Sequence, residues 1–359
     1  MLIDVPHSSL YVFVEGADVS KPTVHDIAKE AGVSLATVDR VLNARPGVRE
    51  KTIAKVQDAV ARLGYVRDTY AANLARQRQY RFVFVLPEGP SQFAQSLKGA
   101  LQEAYAAQIA DRTVIRVVRV PGEDPHAIVR TLQAAQAEGL DGIALMVPET
   151  PQVRDAIARL KDAGTAVVTL VSDLPNSRRD FFIGINSVSA GQTAASLMGR
   201  FVGGEGEILV VTNSLRSRDS VERRLGFDEV MARDFPTIAV LPSVEAHDDP
   251  VRMVRIVSEV IARRDRLAGV YSMGSGNTTL LEALRNGPRS GRLVVIAHEL
   301  TPATRQALLE GEIDAVIAQN VGHLIRSSLR VLRNLCDGLP IYEAQERLRI
   351  EVVLRENLP

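Results

Sequence analysis

The sequence is poor in cysteine, in tryptophan and in net charge, and each shortage excludes a class of protein. The only cysteine among its 359 residues is Cys336, so an intrachain disulfide scaffold is excluded. Lys and Arg number 43, as do Asp and Glu, and the resulting net charge of zero argues against a uniformly basic nucleic-acid coat. No apolar run reaches the ~18 residues of a transmembrane helix, so none is expected.

The length predicts two to three domains, at roughly 150 residues per domain. Residues 1–20 lack the basic start and long apolar stretch of a secretory signal, so we expect a cytoplasmic protein. We expect residues 1–20 themselves to be a disordered N-terminal extension. The six histidines are scattered, without metal-ligand spacing, and no cofactor is expected.

The zero net charge conceals a basic segment. Residues 21–80 contain eleven basic and six acidic residues, an excess of five positive charges, whereas residues 1–20 contain three acids and no Lys or Arg. An asymmetry of this kind is typical of a chain with a nucleic-acid-binding end.

The basic segment is predicted to form three short helices. Thr23 can cap a first helix that ends at Gly32, and Ser34 can cap a second that runs from Leu35 to Asn43. A third helix is predicted from about residue 48 to 63, where apolar residues recur at helical intervals. The tight turn between the first two helices has the spacing of a helix-turn-helix. On spacing alone, a three-helix packing module with solvated charges is the alternative.

A helix-turn-helix places the start of its second helix in the major groove of DNA. Arg40 is the strongest candidate to read a base, because a guanidinium can pair with guanine, whereas Leu35 and Ala36 can offer only apolar contacts. Contacts to phosphate, which position the protein without specifying sequence, suit Thr23, Ser34, Thr37, Asn43 and Arg49.

The segment TVHDIAKEAGVSLATVDRVLN, from Thr23 to Asn43, resembles the headpiece of the lactose-repressor (LacI/GalR) family of bacterial transcription regulators. The resemblance implies a DNA-binding domain over residues 21–68, in which Leu35 and Ala36 help to choose the operator. Asp39 departs from the pattern, since many members have serine there, and its carboxylate could instead orient Arg40. Residues 69–80 are similar to the family's hinge helix, whose leucine, here Leu74, wedges into the minor groove.

Residues 81–359 alternate between apolar runs and helical stretches, which predicts an α/β fold with parallel sheets. Ten or more strands over this length indicate two sheets in two lobes. This pattern resembles the type I periplasmic sugar-binding fold, the sensor of the same family. The resemblance implies an N-lobe of about 81–182 and 320–340, and a C-lobe of about 183–319 and 341–359.

The resemblance also implies ligand-binding residues at the carboxyl ends of the sensor strands. Phe93 lies where relatives set aromatics against a sugar, Arg223 matches an arginine that reaches the ligand, and Glu299 lies where an acidic residue binds hydroxyls. The other candidates are polar residues that follow strands or lie near crossovers: Ser172, Asp173, Asn186, Ser272, Asn277 and Gln319.

Three of these candidates have a purely structural alternative, because Asp173, Asn186 and Asn277 could each cap a turn or helix. Arg224 could face inward in place of Arg223, since adjacent helical residues diverge. Gln92 lies where relatives often have a second aromatic, which leaves polyols, pentoses and other small polar ligands as open as a hexose.

Together these features predict a homodimeric or tetrameric transcriptional repressor that a sugar- or polyol-like effector releases from a near-palindromic operator. One alternative is a periplasmic-type solute-binding transport protein, which would have no use for the basic segment. Another is a regulator that responds to a non-sugar effector or to a protein co-regulator. An enzyme is not expected: Tyr271–Asn277 is not a nucleophile elbow, and His298-Glu299 lacks the second histidine of a zinc protease.

Overall fold

The computed structural model describes residues 22–42, 45–65, 79–89, 91–108, 113–122, 124–247, 249–274, 276–286 and 292–359. The chain divides into two compact units, residues 1–77 and 78–359. The predicted extension over residues 1–20, the hinge contact of Leu74 and the phosphate contact of Asn43 lie outside the described residues.

The described residues of the first unit form three helices: α1 (Val24–Ala31), α2 (Leu35–Leu42) and α3 (Glu50–Leu63). All three were predicted, and α3 begins two residues later than expected because Arg49 takes an extended conformation and acts as its N-cap. Ile27, Val38 and Val56 are fully buried and hold the three helices around one small core. The turn between α1 and α2 therefore has a fixed geometry, with the start of α2 at the surface.

The N-lobe of the second unit is built on a parallel five-stranded sheet of order β2-β1-β3-β4-β5. Its strands are β1 (Tyr80–Pro87), β2 (Thr113–Val120), β3 (Gly142–Leu145), β4 (Ala166–Leu170) and β5 (Phe181–Ile183). Its first three helices are α4 (Gln92–Gln108), α5 (Pro125–Ala137) and α6 (Pro151–Asp162). The inner strands β1, β3 and β4 are almost wholly buried, as expected for a parallel sheet covered on both faces, whereas the edge strand β2 is partly exposed.

The C-lobe is built on a seven-stranded sheet of order β12-β11-β10-β9-β6-β7, with β8 paired to β6. Its strands are β6 (Gly206–Thr212), β7 (Ile238–Val240), β8 (Val244–Glu245), β9 (Leu267–Ser272), β10 (Val294–His298), β11 (Ala315–Ala318) and β12 (Glu351–Val353). Its helices are α7 (Ser187–Val202), α8 (Arg218–Asp234), α9 (Pro250–Arg263), α10 (Asn277–Asn286) and α11 (Pro302–Glu310). The predicted α/β fold with parallel sheets is confirmed; only β12 runs antiparallel among the described strands of this sheet.

The chain passes between the lobes three times. It leaves the N-lobe after β5, returns after β11 to form α12 (Val321–Asp337) against β3, β4 and β5, and leaves again to add β12 to the C-lobe. The short helix α13 (Glu343–Glu346) lies on the last crossing, and a 3₁₀ turn (Arg355–Asn357) follows β12. Within the described part of the chain, no helix combines the length and the apolarity needed to span a membrane.

Candidate functional site

A cavity of about 470 Å³ lies between the lobes, lined by segments that follow the carboxyl ends of strands in both sheets. This volume falls within the range of ordinary small-molecule pockets, about 300–1,000 Å³. Phe93 is the only aromatic among the described lining residues, and Met146, Val147 and Met253 add apolar surface. The charged residues of the described lining are Glu88, Arg216, Asp219, Arg223, Asp249 and Glu299. The cavity therefore offers one apolar face and an excess of acidic over basic groups.

Arg223 is the most deeply buried charge of the site, with its side chain 2% exposed. It projects from α8, and its Nη1 donates a hydrogen bond to the carbonyl of Met273 at 2.5 Å. The carboxylates of Asp219 and Glu299 each lie 3.6 Å from the guanidinium, at ion-pair rather than hydrogen-bond distance. Nε and Nη2 of Arg223 have no hydrogen-bond partner among the described residues. A buried donor without a partner destabilises a protein. The N–H groups of these two nitrogens are therefore suited to donate to an acceptor on a ligand.

Glu299, one of the two carboxylates beside Arg223, directly follows β10. One of its carboxylate oxygens accepts a hydrogen bond from Nε2 of Gln319 at 2.9 Å. Burial raises the pKa of the Glu299 carboxyl to about 7, against the opposing effects of the Arg223 charge and the Gln319 hydrogen bond. This carboxyl therefore takes up or releases its proton near neutral pH.

Two residues that line the cavity have a left-handed backbone without being glycine. They are Val171, at φ 63°, and Glu299, at φ 70°. Such conformations destabilise a non-glycine residue, especially a β-branched one, and they cluster at functional sites. Val171 directly follows β4 and Glu299 directly follows β10, so both strained turns lie where the chain leaves a strand at the cavity wall.

Tyr271 and His298 form a buried layer behind Arg223. The Tyr271 hydroxyl and His298 Nε2 are 2.8 Å apart, and the Tyr271 ring stacks on Phe227 at a centroid distance of 4.4 Å. Burial, with the Arg223 charge adding to it, holds the pKa of His298 well below its ordinary value, so the ring is neutral. Sequence reasoning missed this layer because both residues lie inside apolar strand segments, where nothing distinguishes them from ordinary core.

Five of the nine predicted ligand-binding residues line the cavity: Phe93, Ser172, Arg223, Asn277 and Glu299. Two more lie immediately behind them. Gln319 bonds Glu299, and the Ser272 hydroxyl donates to Oδ1 of Asn277 at 2.6 Å. Asn277 in turn donates from Nδ2 to the carbonyl of His298 at 2.9 Å, which fixes its side chain between β9 and β10.

The remaining two predictions need correction, because Asp173 and Asn186 lie outside the cavity lining. Asp173 pairs with Nε and Nη2 of Arg179 at 2.5 and 2.7 Å and closes the loop after β4. Asn186 is exposed, and its side chain accepts the amide of Ser189 to cap α7. Both side chains thus make the kind of local contact that the capping alternative describes.

The alternative for α8, that Arg224 faces inward, is wrong. Arg224 bonds Asp228 through Nε and both Leu241 and Ser243 through Nη1, at the outer edge of the C-lobe. The sequence analysis also missed Asp219, which precedes Arg223 by one helical turn. The i, i+4 spacing of an acid and a base on a helix was the signal that could have found it.

The headpiece presents its predicted base-reading residues at the surface. Leu35 is 42% exposed, and Ala36 and Arg40 are exposed. The carbonyl of Arg40 accepts the Arg45 amide at 2.8 Å, but its side chain makes no hydrogen bond or ion pair with any described residue. Asp39, which the sequence left as a possible partner of Arg40, accepts a hydrogen bond from Nη1 of Arg45 at 3.1 Å. The guanidinium of Arg40 is therefore available to an external partner.

The predicted phosphate-contacting residues that the structure describes lie around the ends of the headpiece helices. The hydroxyl of Thr23 donates to the Asp26 carboxylate at 2.7 Å, and the Ser34 hydroxyl accepts the Thr37 amide at 3.2 Å. Arg49 is exposed at the start of α3. The Thr23 and Ser34 hydroxyls thus stabilise the helix starts in the isolated chain.

Comparison with known families assigns both parts of the chain. Residues 17–68 match the family model described as bacterial regulatory proteins, lacI family, and residues 82–340 match the model described as periplasmic binding protein domain. The chain belongs to the periplasmic binding protein domain family, and its headpiece is a lacI-family domain. Most of its length is a periplasmic binding protein domain, and the lacI-family match covers the helix-turn-helix described above.

Curated relatives match this chain at the lacI-family headpiece. The HTH-type transcriptional regulator RegA of Clostridium saccharobutylicum is 45% identical over 71 residues, 20% of this chain and 21% of RegA. The sucrose operon repressor of Vibrio alginolyticus is 47% identical over 55 residues, 15% of this chain and 58% of that sequence. The chain thus spans about a fifth of the length of RegA in this match.

Solved structures resemble this chain over the sensor. GanP, a glucose-galactose binding protein from Geobacillus stearothermophilus, superposes with a TM-score of 0.70 at 19% identity, covering 79% of this chain and 99% of GanP. A putative LacI transcriptional regulator from Bacteroides fragilis gives 0.67 at 19% identity, covering 78% and 98%. At these identities the likeness establishes the fold of the sensor.

Proposed function

We propose that the protein is a cytoplasmic, operator-binding transcriptional repressor whose DNA affinity is controlled by a small ligand. The observation that carries the proposal is the combination, in one chain, of a lacI-family helix-turn-helix with an exposed reading helix and a two-lobed sensor with a cavity between its lobes. RegA and the sucrose operon repressor, which share the headpiece, support regulation rather than catalysis.

The effector that suits the cavity is an uncharged polyhydroxyl compound, a sugar or polyol. Its hydroxyls can accept from the buried donors of Arg223 and donate to the carboxylates of Glu299 and Asp219. Phe93 supplies one apolar wall against which the carbon skeleton can pack. The excess of acids over arginines in the lining disfavours an anionic ligand such as a sugar phosphate.

The proposed mechanism couples this cavity to DNA through a symmetric dimer. Two headpieces would read a near-palindromic operator, because two-fold symmetry in the protein matches two-fold symmetry in the site. An effector can release the operator only if it binds the DNA-free state more tightly than the DNA-bound state. We propose this sign, induction, for the present chain.

Exposed apolar side chains of the C-lobe support a dimer. They lie near the starts of two helices: Val221 and Leu225 on α8, and Val251 and Val254 on α9, 37–78% exposed. Burial of such groups against a second copy would favour association by about 25 cal/mol for each Å² of apolar surface. Analytical ultracentrifugation of the Leu225→Asp variant should show weaker association than the wild type; an unchanged sedimentation profile would remove this surface from the proposed interface.

A panel of neutral sugars, polyols and their phosphates, measured by thermal shift and then by operator binding, tests the proposal. A neutral effector should raise the melting temperature by mass action and weaken operator binding, while its phosphorylated form should do neither. Tighter operator binding with the effector would reverse the sign of regulation. Operator binding without any response across the panel would favour a protein co-regulator.

The variant Glu299→Gln tests the site itself, and Glu343→Gln is its matched control. Glu299→Gln should reduce the ligand response and leave operator binding intact, since Glu299 belongs to the cavity and the headpiece is a separate unit. Glu343→Gln makes the same chemical change at an exposed position and should behave as wild type. Equal ligand responses in both variants would remove Glu299 from the proposed site.

A further inference from the structure

Between described residues, a hydrogen bond crosses the cleft from the N-lobe to the C-lobe at each of two places. Oε1 of Gln92, the first residue of α4, accepts the backbone amide of Ala303 in α11 at 3.1 Å. Oγ of Ser172, just after β4, accepts the backbone amide of Asp219 in α8 at 3.4 Å. In both bonds a side chain of the N-lobe is the acceptor and a backbone amide of the C-lobe is the donor.

The two donors occupy the same position in their helices. Ala303 is the second residue of α11 and Asp219 is the second residue of α8, and an amide at this position has no acceptor within its own helix. Neither N-cap side chain, Thr301 of α11 or Ser217 of α8, accepts the amide of Ala303 or Asp219. Thr301 accepts the Thr304 amide at 3.3 Å, and Ser217, the N-cap residue of α8, makes no side-chain cap hydrogen bond. Gln92 and Ser172 thus cap two helices that belong to the other lobe.

These contacts also reach the charge cluster of the cavity. The amide of Asp219 is held by Ser172, while its carboxylate faces Arg223 at 3.6 Å. Gln92 and Ser172 both line the cavity, so each contact lies at its wall. Any movement that separates the lobes must break both hydrogen bonds and leave both amides to water.

We infer that Gln92 and Ser172 form an interlobe latch, which stabilises the closed arrangement of the two lobes by capping α11 and α8 across the cleft. The latch deepens the proposed function, since closure of the lobes would govern access of the effector to the cavity. Because the chain joins the two lobes at three crossings, a movement that opens one cap also opens the other. Weakening one cap therefore shifts the other, although the two share no atom.

Hydrogen exchange of single backbone amides tests the latch in the full-length chain, without ligand or DNA. In the Gln92→Ala variant the Ala303 amide should exchange about three- to tenfold faster, the size expected for one lost hydrogen bond. The Asp219 amide should accelerate as well, although Gln92 does not contact it. In Ser172→Ala the converse should hold, with faster exchange at Ala303.

Three comparisons make the result decisive. Gln102→Ala removes the same side chain from an exposed position of α4 and should leave both amides unchanged. Gln92→Asn keeps the amide group but shortens the reach by one methylene, and it should behave like Gln92→Ala. Unchanged protection of the buried strand β1 shows that each variant is folded.

Acceleration confined to the amide that lost its own partner would overturn the latch and leave two independent helix caps. Unchanged exchange at Ala303 in both Gln92 variants would overturn the contact itself. Neither result would bear on effector binding, because no effector is present. A failed ligand panel would in the same way leave the latch standing.

Discussion

At the scale of single residues, the central feature is an arginine that is buried but incompletely hydrogen-bonded. Arg223 is close to two carboxylates, yet neither accepts a hydrogen bond from it, and two of its nitrogens lack partners among the described residues. Burying a charged group in this state is unfavourable unless something else completes its bonding. The local instability thus favours a ligand that supplies acceptors.

The raised pKa of Glu299 makes stability depend on pH. Burial raises this pKa from 4.5 to about 7, so the folded protein holds the proton more tightly than the unfolded chain does. The stabilisation from the protonated Glu299 carboxyl is fully present below pH 4.5 and is lost as the pH rises through 7. At about 1.4 kcal/mol per pKa unit, this stabilisation amounts to about 3 kcal/mol. Between about pH 5 and 8, the melting temperature of the wild type should fall relative to that of Glu299→Gln. Parallel melting curves across this range would contradict the assignment.

Arg40 should carry base selection in the headpiece. Its exposed guanidinium has no partner among the described residues, so replacement by alanine removes a contact to DNA without disturbing the fold. We expect Arg40→Ala to weaken operator binding by about 1–3 kcal/mol and to relax the preference at one base pair. Binding to a set of operators with single base changes measures this effect. An equal loss on every operator would instead show that Arg40 contacts phosphate.

At the scale of secondary-structure elements, two glycines allow α7 and α8 to pack backbone against backbone. A Cβ atom at Gly191 would overlap the backbone carbonyl of Arg223, and one at Gly226 would overlap the carbonyl of Val188. The backbone of Arg223, whose side chain lines the cavity, is therefore part of this close contact between α7 and α8. The position of Arg223 depends on a helix pair with no room for a side chain at the crossing.

A methyl group at this crossing should displace α8 and with it Arg223. Gly191→Ala should destabilise the protein by about 1–3 kcal/mol through overpacking, and it should weaken effector binding more than tenfold. Thermal unfolding and calorimetry with the effector found in the panel measure the two effects. Gly99→Ala is the matched control, since a Cβ there meets no atom within 4 Å and the helix should be slightly more stable. Normal effector affinity in Gly191→Ala would show that Arg223 is positioned in another way.

Sequence reasoning recovered most elements because buried parallel strands are continuous apolar runs, which alternate visibly with amphipathic helices. It missed β8 (Val244–Glu245) and β12 (Glu351–Val353), which are two and three residues long and partly polar. For the cavity, it found Arg223 and Glu299 but could not separate Asp173 from true ligand-facing groups. A carboxylate after a strand caps a loop as readily as it binds a hydroxyl, and only the position of Arg179 decides between them.

At the scale of the whole molecule, zero net charge is the sum of a basic headpiece region and a slightly acidic remainder. Residues 21–80 carry an excess of five positive charges, and a dimer would bring two such regions to one duplex. DNA affinity should therefore fall steeply with salt, by a slope of about −0.9 in log K against log salt for each phosphate neutralised. The isoelectric point of about 7.0 gives no indication of this behaviour.

The salt slope can be assigned to single residues. Arg49→Ala should weaken binding almost equally on all sequences and make the slope shallower by about one, since Arg49 is predicted to contact phosphate. Lys98→Ala removes a positive charge from an exposed position of the sensor and should leave the slope unchanged. Titrations at several salt concentrations measure both. A wild-type slope in Arg49→Ala would exclude this residue from the phosphate contacts.

The path of the chain between the lobes has a consequence for biosynthesis. The N-lobe sheet is made of residues 80–183, but buried apolar side chains of α12, such as Leu324, Leu329 and Leu332, complete the core around Phe82 and Val168. A ribosome must therefore add about 140 further residues before α12 can cover its part of that face of the sheet, which takes roughly 7–28 s at 5–20 residues per second. During this interval the nascent chain exposes apolar surface on the sheet of the first lobe while the sensor's second lobe is still emerging.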